Sequence, residues 1–215
     1  MWFFILVLIT ACNAEQTIVK ADEITKILAS GKSLQIKNAI IDGNLDFGKI
    51  GNRIDADIHF EKCIFKGNVM AENLRFYGSV IFLGNEFQKE VDFQNVSVFG
   101  SMNFSKSIFK EKTAFTNMTV WAKNSYFSEV KASNRFSLDA SDFHGNLYLM
   151  DSEFAGLFSL QEVFVQGNLQ SSNAKFGGST DFAMLNVLRR AIFKYANFKN
   201  EPDFSVAKAI VELNP

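Results

Sequence analysis

Residues 78–120 read GSVIFLGNEFQ KEVDFQNVSVF GSMNFSKSIFK EKTAFTNMTV when cut every eleven residues. In that frame Phe82, Phe93, Phe104 and Phe115 share one column, and Phe87, Val98, Phe109 and Val120 share a second. Val80, Val91, Met102 and Thr113 form a third, two residues ahead of the first. Apolar residues recurring at a fixed period mark a stacked array, in which each unit buries its apolar face only against its neighbours.

The columns extend in both directions. Upstream, Phe65 and Phe76 lead into Phe87, and a two-residue insertion around 50–55 separates an earlier copy at Gly43, Leu45 and Phe47. Downstream, one extra residue between Val120 and Ser125 shifts the frame, after which Phe127, Leu138, Leu149 and Leu160 resume it and the column runs on to Phe204. With the glycine column as zero, apolar residues fall at offsets two, four and nine, and a small or apolar residue at seven. Offsets two and four alternate as a strand does, and steps of five and six between large side chains do not fit a 3.6-residue period. A helical solenoid is excluded on that ground.

The runs FKGNVMAENLRF (65–76), FGSMNFSKSIF (99–109) and FHGNLYLMDSEF (143–154) resemble the phenylalanine-rich, five-six spaced branch of the pentapeptide-repeat family. The resemblance implies an all-β fold: a right-handed parallel, quadrilateral β-helix with four short sides per coil and large and small residues both pointing inward. The extra residue per pair of repeats gives about 22 residues per coil, hence about seven coils and a rod of about 35 Å at ~4.8 Å per strand.

The apolar run MWFFILVLITA (1–11) is too short to cross a bilayer and reads as the hydrophobic stretch of a signal peptide. Ile9-Thr10-Ala11-Cys12 resembles the lipobox of bacterial lipoproteins, which implies lipid attachment at Cys12 and a membrane-anchored protein of the cell envelope, although no Lys or Arg precedes the run. Residues 12–20 are then a tether and 21–33 a capping segment. Within the latter, Ile24, Ile27 and Leu28 at helical spacing, acidic Asp22 and Glu23 ahead of them, and Gly31 behind predict a short amphipathic helix. Its role is to cover the open edge of the first coil. The array occupies 34–205, and 206–215 is a C-terminal cap, helical or an irregular last strand. A homodimer contact at that end is the alternative.

Lys and Arg total 22 against 23 Asp and Glu, a net charge of −1 that argues against a nucleic-acid footprint. Only Cys12 and Cys63 are present, so no disulfide framework or metal-ligand spacing exists, and Cys63 falls in the small inward column. No catalytic constellation, metal or cofactor site is expected. His59 and His144 lie at outward offsets, as do Asp92, Asp142, Glu153 and Asp181.

Read one full coil at a time, the outward positions separate by side. Tyr77, Phe99, Trp121 and His144 align at one offset, and Ile81, Asn103, Tyr126 and Tyr148 at a neighbouring one, whereas the opposite side is mostly polar. Contiguous exposed aromatic surface tends to mark a binding face. The alternative is that these rings shield a corner and pair up the ladder. The expected function is therefore a non-enzymatic envelope lipoprotein that acts as a binding or scaffold rod towards a protein or glycan. The competing expectation, drawn from relatives in the resembled family, is mimicry of duplex DNA towards a topoisomerase such as gyrase.

Overall fold

Alternating inward and outward side chains, interrupted by a turn every few residues, leave room only for very short strands. Most strands in the computed structural model, which describes residues 7–10 and 17–212, are two residues long and all pair in parallel. One coil has four sides. Val80–Leu83 forms side one, Glu86–Phe87 side two, Val91–Asp92 side three and Ser97–Val98 side four. The next coil repeats them at Met102–Asn103, Ile108–Phe109, Thr113–Ala114 and Thr119–Val120. Sides two and three form sheets of nine and seven strands. Sides one and four merge into a sheet of 16 because Asn186–Ile192, a seven-residue strand, runs around their shared corner. The fold is thus an all-β parallel solenoid, with nine rungs on side two where about seven coils are expected from the sequence.

The register shows how the array absorbs its irregularities. Ile81 pairs with Asn103, a step of 22 residues, whereas Gln35 pairs with His59 and Asn103 with Tyr126. Those longer steps coincide with the two insertions read from the sequence, the first holding a 3₁₀ turn at Phe47–Lys49. Both lengthen a corner and leave every side chain on its own face, which a shift within a strand would not. In the last coil Asn186 pairs with Lys208 but Ile192 with Glu212, so that coil is shorter at the corner.

The core is a set of ring ladders along the axis. Phe60, Phe82, Phe104 and Phe127 stack in sequence, with centroids 5.0, 5.0 and 5.6 Å apart. Phe65, Phe87 and Phe109 form a second ladder at 4.9 and 4.8 Å. That ladder breaks at Ala132, and Phe136 on side three fills the space, touching both Phe109 and Phe154 edge-on or tilted at 5.4 and 5.2 Å. The small inward column is partly polar. Asn85 accepts from the Cys63 N–H at 2.8 Å and donates to the Phe60 carbonyl at 3.1 Å, while Ser107 accepts from the Asn85 N–H and donates to the Phe82 carbonyl. These bonds satisfy backbone groups at a corner that would otherwise be buried without partners. Cys63 is buried, and burial pushes its thiol pKa up.

Each coil also turns through residues in the left-handed region, among them Asn73, Asn95 and Asn117 at φ 57, 54 and 58°. Asparagine tolerates that conformation, and here the amides link into a ladder, Asn117 to Asn95 at 2.7 Å and Asn95 to Asn73 at 3.1 Å.

The helix α1 spans Ala21–Ala29 and buries Ile24 and Leu28. Chain order places it between Thr17–Lys20 on side two and Leu34–Lys37 on side one, so it stands where sides three and four of the first coil would be. Thr17–Lys20, inside the stretch expected to be a tether, is a strand paired with Ala39–Asp42. Val7–Thr10, within the expected signal peptide, is likewise a strand, paired with Leu34–Lys37, whereas Cys12 lies outside the described residues. At the far end the tail forms the strand Lys208–Glu212 rather than a helix.

Candidate functional site

The corner between sides four and one is where the outward aromatic residues gather. A glycine begins side one in four of the coils, at Gly78, Gly100, Gly145 and Gly167, because consecutive corners approach closely there. A Cβ on Gly100 would lie 2.4 Å from the Gly78 carbonyl oxygen, which no side chain survives. Immediately before each glycine, the last residue of side four projects from the corner.

With Trp121, which precedes Ala122 in the intervening coil, the first three of these projecting residues form one continuous stack. Tyr77 and Phe99 lie 4.6 Å apart at 9°, Phe99 and Trp121 6.0 Å at 3°, and Trp121 and His144 3.8 Å at 14°. Arg53 caps the upper end with its guanidinium carbon 4.2 Å from the Tyr77 centroid, and Asp55 holds that guanidinium bidentately. At the lower end the Gln166 amide lies 2.7 Å from Nδ1 of His144. Trp121 remains 50% exposed, and Tyr77 and Phe99 41% each.

The other sequence-derived candidates fall nearby but do not join this stack. Tyr126 and Tyr148 make a second pair on side one, 5.1 Å apart at 13°. Asn124 donates to the Tyr126 hydroxyl at 3.0 Å and accepts from Asn146 at 2.9 Å, which fixes the first ring. Ile81 is separated from that pair by Asn103, whose amide oxygen accepts from the Ser105 N–H instead. Between the stack and Tyr126 lies a shallow depression of about 400 Å³ floored by Gly100 and Ser101.

Ring orientation decides what this surface can do. Mutually stacked rings cover each other's faces, Arg53 covers the outer face of Tyr77, and Gln166 meets the edge of the His144 ring at Nδ1. What remains for a partner is a ribbon of ring edges, carrying the positive rim of each quadrupole. A sugar or planar ligand that stacks on an open ring face finds none from Tyr77 to Trp121. The ladder pairing weighed against a binding role is therefore present, and the ribbon stays exposed all the same.

Two features escaped sequence reading. Arg53 as a cap was hidden because it stands two residues ahead of the Tyr77 column, one coil earlier, where offset alone does not show that its side chain reaches the ring. The asparagines beside Tyr126 are polar residues at an ordinary outward offset, and only their alignment across coils signals a ladder. On side one, burial pushes the His59 imidazole below its ordinary value, and a hydrogen bond from Lys37 lowers the Glu61 carboxyl. Among the described residues no three His, Cys, Asp or Glu side chains converge as metal ligands.

No family model matches the chain, and neither a curated protein nor a solved structure shows significant similarity to it.

Proposed function

We propose that the protein is a non-enzymatic binding or scaffold rod of the bacterial cell envelope, tethered by lipid on Cys12, and that its contact surface is the aromatic corner. The observation that carries this reading is the unbroken Tyr77–Phe99–Trp121–His144 ribbon, with exposed rings on three coils and the half-buried His144 on the fourth. Apolar ring edges over that length are a cost in water unless a partner covers them. Because the ring faces from Tyr77 to Trp121 are occupied, the partner that fits is a protein surface rather than a glycan. Mimicry of duplex DNA finds no support in the charge layout: outward Lys131, Glu153 and Lys175 alternate in sign on successive rungs of side two.

Intact mass and fractionation of the expressed chain beside Cys12→Ser test the tether. A lipid-sized mass gain and membrane association, both lost in the variant, are expected; an unmodified soluble chain overturns the tether. A photo-crosslinking residue at Phe99, compared with one at Arg135 on another side of the rod, tests the surface. Discrete adducts from position 99 alone are expected, and equal or absent adducts overturn it.

A further inference from the structure

Side one presents two outward columns, and its middle is free of charge. On the five rungs of Ile81, Asn103, Tyr126, Tyr148 and Gln170, neither column holds an acidic or basic residue, the second column supplying Leu83, Met150 and serines. Side two over the same coils carries Glu86, Lys131, Glu153 and Lys175 outward. Depletion of charge with enrichment in aromatic residues and methionine is the composition of an interface core.

The charges return at both ends of side one, in a definite order. Towards the N-terminal end Glu61 comes first and Lys37 beyond it, paired at 2.6 Å. Towards the C-terminal end Lys194 comes first and Glu212 beyond it, 3.9 Å apart. Counted along the ladder from the Tyr126 rung, Glu61 and Lys194 are each three rungs away, and Lys37 and Glu212 each four. Within these two columns the layout is antisymmetric about the Tyr126 rung in sign and distance. Glu212 lies in the column of Tyr126 and the other three charges in the second, while Lys123 at the adjoining corner sits on the central rung itself.

We propose that side one, with the adjoining aromatic corner, docks a second copy of this chain in antiparallel orientation, around a two-fold axis at the Tyr126 rung. In that arrangement Glu61 faces Lys194 of the second copy, and Lys37 lies at the level of the second copy's Glu212. Trp121, on the central rung, lies at the level of its own counterpart, and Phe99 at the level of His144. A two-fold interface is self-complementary in this way by construction. Parallel docking of the same faces would instead set each charge beside its own kind. The charge-free stretch is about 24 Å long at ~4.8 Å per rung, which places the contact at the small end of stable interfaces and makes association depend on concentration. This inference rests on the corner being a contact surface and narrows its occupant.

Sedimentation equilibrium of the full chain tests it, alongside Glu61→Lys and Lys194→Glu, with thermal melts to establish that both variants fold. The wild type is expected to dimerise, and each variant alone to do so about tenfold more weakly, since each self-pair now opposes like charges twice. An equimolar mixture of the two variants is expected to recover wild-type association, because the lysine of one meets the glutamate of the other. A wild type that stays monomeric overturns the inference. So does association unaffected by the substitutions, which would locate the contact elsewhere, at the open last rung for example, or a mixture that recovers nothing. If the wild type is monomeric but position 99 still crosslinks to another protein, the contact surface survives and only its occupant changes.

Discussion

At the level of single residues, the same side chain type does different work according to the face it occupies. Phe104 is fully buried and sits between Phe82 and Phe127, whereas Phe99, five residues earlier, is stacked but 41% exposed. Urea unfolding should therefore show Phe104→Ala losing about 3–5 kcal/mol and Phe99→Ala about 1 kcal/mol. Equal losses would mean that the corner ribbon is structural core rather than contact surface. His59 offers a second test. Burial lowers its pKa in the folded chain, so folding favours the neutral ring. As pH falls below the unfolded value of about 6.5, the unfolded chain binds the proton first, and stability declines until pH passes below the folded value. Thermal melts of His59→Gln should lose less stability between pH 7 and 5 than the wild type does.

Within the ladders, the sequence made the columns of large residues legible because each occupies a fixed offset, and offset alone determines whether a side chain faces in. It did not reveal how those columns trade volume. The loss of a ring at Ala132 is made good across the core by Phe136, which stands where Val91 and Thr113 stand in the two preceding coils. Such compensation links residues on different sides of one coil, and no single column displays it. Ala132→Phe alone should overpack the core and cost about 1–3 kcal/mol, while Ala132→Phe with Phe136→Val should recover most of that loss. Additive losses in denaturant titrations would show that the two positions are independent. The polar members of the small inward column were legible as small, but not as hydrogen-bonding. The partner of Asn85 is a carbonyl on an earlier coil, and its distance in sequence is set by the corner geometry.

Over the whole molecule, the period fixed the architecture and the four sides, and the two insertions were read at the corners where they lie. The coil count was underestimated because the first and last coils depart from the repeat. One is completed by α1 and the strand Thr17–Lys20, and the other is shortened around Asn186–Ile192. The candidate surface was legible as an alignment of aromatic residues, and its ring orientation was not, because offsets say which side a residue is on and nothing about its side-chain torsions. α1 also sets an order in time. It stands at the N-terminal end of the solenoid, the end that emerges first from the ribosome or from an export channel, so sides three and four of the first coil can be covered while the rest of the chain is still emerging. Each later coil needs only its predecessor as a template. Growth then advances away from α1, each newest rung offering the edge on which the next coil pairs, while Val7–Thr10 and Thr17–Lys20 stay the outermost strands of sides one and two at the other end.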